Sequence, residues 1–314
     1  MEYTALMENL PSSRPLESLL EKAGISVSGE LKKLEVGFSN DVYSVDERYI
    51  LKIARGAMDN DGIERDVHYS RLLGDKLPVP QLVAAGFAEE LDGRAYFIYH
   101  KIPGENLYNI WHQCDREQRR RYVHQIVELL RILNATPIPP SSTSWQEKIC
   151  AKIAEALEKL RQKGEISGEL ITRIENLVEQ NKSVLKEEKF CLTNWDLHFD
   201  NFLVADGKIV GFLDFEWCDV NSLDHQLVLI KRMVRDPAKF ASVHAEQFVV
   251  KEDYAELLDW YREFYPEMFD FEQLDKRLAL YAVLQCIIDI SYFANNEEGK
   301  RELVEYLEEL GETC

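Results

Sequence analysis

The sequence predicts an α+β chain of two lobes: a small β-rich N-terminal lobe with one helix, then a larger and mostly helical lobe. Its length of 314 residues exceeds the roughly 100–200 residues of one ordinary domain. Strand-like runs concentrate in the first third. Beyond that the apolar residues recur at helical spacing, interrupted by a single non-helical island at Phe190–Val220. These observations place the N-terminal lobe at 1–98, a hinge at 99–106 and the helical lobe at 107–314.

In chain order, Leu34–Val45 and Tyr49–Ala54 are β-rich runs separated by the turn-like Asp46-Glu47-Arg48. Ile63–Leu73 carries Ile63, Val67 and Leu72-Leu73 at helical spacing, and Leu77-Pro78-Val79-Pro80 ends that helix because proline cannot continue it. Leu82–Phe87 and Arg94–His100 read as a hairpin around Glu89–Gly93. Asp115 can cap a helix running to about Asn134, with Val123, Ile126, Val127, Leu130 and Leu133 as its apolar stripe. Further helices fit Trp145–Gln162, Ser167–Lys186, Asp224–Arg235, Lys251–Phe264, Phe271–Phe293 and Glu297–Leu310.

Composition excludes several functions. With 37 Lys+Arg against 56 Asp+Glu the net charge is −19, which repels nucleic acid and anionic membrane surfaces alike. The charge is uneven: residues 1–106 carry 12 basic and 18 acidic side chains, 107–194 carry 14 and 12, and 195–314 carry 11 and 26. The six cysteines lack C-x-x-C spacing and read as small buried hydrophobes. Met-Glu-Tyr-Thr-Ala has no secretory character, and Tyr281–Ala294, broken by Gln285 and Asp289, is too short to span a bilayer. The expectation is a soluble cytoplasmic protein. No Gly-x-Ser-x-Gly elbow or His-Glu-x-x-His helix supports a hydrolase or zinc-peptidase reading.

The chemistry concentrates in the island. Asp206-Gly207 is a strong two-residue hairpin signal. Pairing back from it sets Ala205 against Lys208, Phe202 against Gly211 and Asn201 against Phe212. Asn201 and Asp214 then leave the same end of the hairpin within roughly 7 Å axially, a gap that one divalent ion can bridge. Asp196 precedes Asn201 by five residues, the spacing of a kinase catalytic loop. There the aspartate accepts the substrate hydroxyl proton, and the asparagine with a later carboxylate holds Mg²⁺. Near the N-terminus, Lys52 sits inside the apolar strand Tyr49-Ile50-Leu51-Lys52-Ile53-Ala54, where desolvation penalises its charge unless it meets an anion.

The run Asn194-Trp195-Asp196-Leu197-His198-Phe199-Asp200-Asn201, followed by Leu213-Asp214-Phe215-Glu216, resembles the aminoglycoside phosphotransferase and choline kinase-like family. That family has a bilobal protein kinase-like fold, and its loop usually reads His-Gly-Asp-Leu-His-Pro-Gly-Asn. The chain matches at Asp196, His198, Asn201 and Asp214 and departs at Asn194, Trp195, Phe199 and Asp200. The resemblance implies a nucleotide loop at Leu34–Val45 that includes Gly37, Ser39 and Asn40, and Lys52 on the ATP α/β-phosphates. It implies a lysine partner at Asp66, with Glu64 kept open, because residues two apart on a helix point about 200° apart. Tyr99, His100 and Ile102 would belong to an adenine-reading hinge. Asp224 would brace the loop, although a helix cap at Asn221 or Ser222 explains that segment equally well.

The resulting expectation is an ATP- and Mg-dependent kinase that moves the γ-phosphate to a hydroxyl of a small, cationic or amine-bearing acceptor. Asp196 and His198 are the catalytic pair and Asn201 and Asp214 the metal ligands. A housekeeping metabolite kinase of choline, homoserine or sugar type, and a nucleotide-binding pseudokinase, are the alternatives.

Overall fold

The computed structural model describes residues 13–34, 40–56, 59–139, 142–241, 243–293 and 296–311. The elements in order are α1 (Ser13–Lys22), β1 (Leu31–Leu34), β2 (Asn40–Val45), β3 (Tyr49–Ala54), α2 (Asn60–Leu73), β4 (Leu82–Ala88), β5 (Arg94–His100) and β6 (Glu105–Asn106). Then come α3 (Leu107–Trp111), α4 (Arg116–Asn134), α5 (Trp145–Lys163), α6 (Gly168–Asn181), β7 (Phe190–Asn194), β8 (Phe202–Ala205), β9 (Lys208–Phe212) and β10 (Cys218–Ser222). The chain ends with α7 (Leu227–Arg235), α8 (Val243–Glu246), α9 (Leu257–Phe264), α10 (Leu274–Tyr292) and α11 (Glu297–Gly311). These elements form two compact units, one from 1–107 with 200–218 and the other from 108–199 with 219–314.

The first unit is built on a five-stranded antiparallel sheet of order β1-β2-β3-β5-β4. Strand alternation sends Leu51 and Ile53 of β3 to one face, where they meet Leu16, Leu19 and Leu20 of α1. Ala54 packs on the other face with Ile63 and Val67 of α2 and Phe97 of β5, and Lys52 shares that face by parity. Local pattern gives no clear sign of helix α1, whose leucine stripe, Leu16, Leu19 and Leu20, covers little more than one turn. Asn60 ties α2 to the sheet: its Oδ1 accepts the Ala95 N–H at 2.7 Å and its Nδ2 donates to the Gly93 carbonyl at 3.2 Å.

The β8–β9 hairpin belongs to this unit because β6 pairs with β8 and the Phe212 N–H donates to the Pro78 carbonyl at 2.8 Å. Its turn is the one expected, with Asp206 and Gly207 at φ 49° and 73°. The register differs from expectation. Ala205 opposes Lys208, but a shift between Leu203 and Val204 sets Phe202 against Phe212 and Leu203 against Gly211. An extra residue on β9 forms a bulge, which sequence alternation does not reveal. Beyond it the Leu213 N–H donates to the Asn201 carbonyl at 2.8 Å, so Asp214 follows directly on the residue bonded to Asn201.

In the second unit, α4 and α5 start at capping boxes, Asp115 with Gln118 and Ser144 with Glu147. The centre is α10, buried almost all round from Arg277 to Ile287, with α5, α7 and α11 packed against it. A helix apolar on all sides is a core helix here. Among the described residues no helix is long and apolar enough to cross a membrane. The described cysteines are free thiols.

Candidate functional site

In the first unit Lys52 organises the site. Its Nζ donates to Asp66 Oδ2 at 2.9 Å and lies 3.1 Å from Asp214 Oδ1. Burial by itself would lower the lysine pKa. The carboxylates of Asp214, Asp66 and Glu216 outweigh it and hold the group well above its ordinary value. Lys52 therefore stays an ammonium in a buried position, facing three carboxyl groups.

The helix partner is Asp66, and Glu64 lies on the exposed side of α2. The second oxygen of Asp66 accepts the Phe215 N–H at 3.2 Å, so one carboxylate fixes both Lys52 and the segment after Asp214. Asp214 itself has φ 61°, a left-handed conformation that is uncommon outside glycine and clusters at functional sites. Asn201 stands beside it through the Leu213 bond described above.

Gly37 and Ser39 lie outside the described residues. Asn40 begins β2 and its Nδ2 donates to Glu216 Oε2 at 3.0 Å, a buried bond across 176 residues. The Arg65 Nε–H donates to the Glu216 carbonyl at 2.8 Å. A Cβ at Gly62 would stand 3.0 Å from Glu216 Oε2, so the glycine inside α2 allows this close approach. The sequence reading gives Glu216 no role, and Gly62 lies just before the helix it predicts at Ile63–Leu73, whereas in the fold α2 starts at Asn60 and holds this glycine. Tyr99 packs beside Phe97 with centroids 4.9 Å apart, His100 is exposed against Tyr49 at 5.2 Å, and Ile102 is half-buried beyond β5.

In the second unit, Asp196 and His198 approach with Oδ2 and Nε2 3.4 Å apart. Buried Asn194 accepts the Asp196 backbone N–H on its Oδ1 at 3.1 Å. Asp224 is fully buried and accepts from Arg277 Nε and Nη2 at 2.5 and 3.0 Å, from Tyr281 Oη at 3.0 Å and from Ser222 Oγ at 2.5 Å. Ser222 makes no side-chain cap, and Asn221 donates to Thr193 Oγ1 at 2.9 Å. The segment is thus a buried polar brace and not a helix cap.

Among the described residues no group of three or more His, Cys, Asp or Glu could hold a metal ion. Asn201 and Asp214 offer oxygen donors only. That set suits a hard cation which keeps most of its coordination for phosphate and water.

Several solved aminoglycoside phosphotransferases have the same fold. The ADP-bound aminoglycoside phosphotransferase APH(2'')-Ib superposes with a TM-score of 0.67 at 19% identity, covering 94% of this chain and 97% of that one. The streptomycin–ATP ternary complex of APH(2'')-IIa gives 0.66 at 21% identity, with 98% of each chain covered. A thermostable mutant of APH(4)-Ia with AMP-PNP and hygromycin B gives 0.67 at 16% identity, over 95% and 99% of the two chains. The architecture is therefore the α+β kinase-like fold of these enzymes. Residues 30–264 match the phosphotransferase enzyme family, and the chain belongs to that family. No curated protein matches it.

Proposed function

We propose that the protein is a kinase that transfers the γ-phosphoryl group of ATP to a hydroxyl of a small-molecule acceptor. The observation that carries this reading is the buried Lys52 ammonium held between Asp66 and Asp214. An ammonium kept charged and fixed at two points is suited to bind the α/β-phosphates, and Asp66 orients it. Asn201 and Asp214 would hold Mg²⁺, which when bound supplies charge neutralisation on the phosphates. Asp196 accepts the proton of the attacking hydroxyl, and His198, within reach of its carboxylate, orients that oxygen. Catalysis is mostly positioning and electrostatic stabilisation.

The acceptor is a hydroxyl-bearing molecule that we read as cationic. Support comes from the fold shared with enzymes solved with streptomycin, kanamycin and hygromycin B. The completeness of the Lys52, Asp66, Asp196, Asn201 and Asp214 set favours an enzyme over a pseudokinase. The test is MgATP turnover across aminoglycosides, choline-like amines, amino acids and sugars, with Asp196→Asn as control. Loss of a general base predicts a fall of about 10²–10⁴-fold. Equal turnover by both proteins refutes the mechanism.

A further inference from the structure

The loop bearing Asp196 departs from the family pattern at Asn194, Trp195 and Phe199, and each of these side chains is engaged within the helical unit. Asn194 closes an Asx-type turn on the Asp196 N–H. The buried Phe199 ring lies 4.5 Å from Trp111, 5.3 Å from Tyr108 and 5.9 Å from Tyr254, stacked on the last at 24°. Trp195, immediately before Asp196, stacks on His225 with centroids 5.2 Å apart and planes 20° apart.

His225 has features that identify its role. It is buried, and among the described residues neither ring nitrogen has a hydrogen-bond partner. Burial, and then the charges of Lys152, Lys148 and Arg277, push its pKa well below the ordinary value, so the ring is neutral. With no hydrogen-bond partner for its nitrogens and no charge, the imidazole meets its neighbours through ring contacts, of which the one to Trp195 is a stack. The rings of Trp145 and Tyr281 stand against it at 5.1 and 4.9 Å, tilted 73° and 89°. Both rings are themselves fixed: Trp145 Nε1–H donates to Tyr281 Oη at 2.7 Å, and Tyr281 O–H donates to Asp224 at 3.0 Å. A continuous set of rigid contacts thus runs from the buried Arg277–Asp224 pair to the residue next to Asp196.

We propose that His225 is a positioning residue: its ring is the plate on which Trp195 rests, and this stack holds the backbone at Asp196 in the orientation the phosphoryl transfer requires. The inference rests on Asp196 being the proton acceptor. Stacking, and not hydrogen bonding, is the operative contact, so a carbocyclic ring of similar size should replace the imidazole.

The test uses the full chain, with hydrogen exchange of the Asn194–Phe199 segment, MgADP affinity, and MgATP hydrolysis with water as acceptor. His225→Ala and Trp195→Gly should each accelerate exchange of that segment about tenfold, the equivalent of losing one aromatic pair. Both should slow hydrolysis while leaving MgADP affinity unchanged. His225→Phe should keep segment protection and hydrolysis within about twofold of wild type. Should His225→Ala fail to fold, half-exposed Trp195 carries the same test. Unchanged segment exchange in Trp195→Gly overturns the inference, as does a His225→Phe protein as impaired as His225→Ala. Asp196→Asn separates the two readings: if it hydrolyses MgATP at the wild-type rate, the role of Asp196 fails, whereas the exchange data still judge the stack.

Discussion

Replacing Asp66 by asparagine tests the centre of the site on a measurable scale. Asp66 Oδ2 accepts from Lys52 at 2.9 Å and Oδ1 accepts from the Phe215 N–H at 3.2 Å, and the side chains of Asp66 and Lys52 are 3% and 8% exposed. An amide has one acceptor oxygen, so Asp66→Asn must turn its NH₂ toward one of these two donors. Removing one partner of a buried ion pair costs about 3–5 kcal/mol. Here Asp214, at 3.1 Å and with its side chain 27% exposed, still faces Lys52, which reduces the expected loss to about 3 kcal/mol. The assay is urea unfolding of wild type, Asp66→Asn, Lys52→Met and the double variant at pH 7.5. Lys52→Met leaves two carboxylates facing each other without their ammonium, so the double variant should lose less than the sum of the singles, with a coupling of about 2 kcal/mol. Additivity within about 0.5 kcal/mol would show that the pair does not act as a unit.

Three further outcomes are expected. Burial raises the Glu302 pKa, but hydrogen bonding from Arg232 and the charges of Arg232 and Lys239 bring it down to about 2 from an ordinary 4.5. Its contribution, on the order of 3 kcal/mol, is present above pH 4.5 and lost as pH falls toward 2. Urea unfolding of Glu302→Gln should therefore vary less over that range than wild type, and parallel curves would contradict this. For His225 the folded pKa lies below the ordinary 6.5, so the unfolded chain takes up the proton first. Stability should fall by up to about 1.4 kcal/mol per pH unit below 6.5, and His225→Phe should remove that slope between pH 6.5 and 5.5. MgADP at about 100 times its Kd should stabilise the protein by about 2.7 kcal/mol. Chelation with EDTA or the Asp214→Ala change should remove the magnesium-dependent part of the thermal shift, and a full shift in Asp214→Ala would argue against its role as a ligand.

Local pattern carried much of the fold. Tyr49–Ala54 is a strand with the predicted bounds because Lys52 interrupts an apolar run that must alternate between two faces. Asp115 caps α4 because its carboxylate accepts the Gln118 N–H at 2.7 Å. What escaped the sequence depends on contacts distant along the chain. The β9 bulge shifts a register that the turn alone could not determine. Helix phase cannot distinguish Asp66 from Glu64 without knowing which face of α2 meets β3. The 30-residue separation of Trp195 and His225 hides their stack, and the bond from Asn40 to Glu216 joins residues 176 apart in the chain.

Charge shows the same limit from the other direction. Summed by segment, 195–314 carries a large acidic excess, which invites a cationic ligand. Much of it faces the chain's own cations. The α4 residues Arg116, Arg119 and Arg131 pair with Glu256, Asp253 and Glu267 at 2.5, 2.5 and 3.0 Å, and Arg120 pairs with Glu263. Buried Arg232 takes Asp289 and Glu302, each at 2.7 Å. Lys148 takes Asp219 at 2.7 Å, beside the Trp195 ring that Lys152 approaches at 5.7 Å. A segment sum counts these carboxylates as available, whereas in the fold each already faces a cation of the chain that offsets its charge. The affinity of a cationic acceptor would then depend on the few carboxylates next to the reacting hydroxyl, Asp196 first among them, and much less on the −15 carried by residues 195–314.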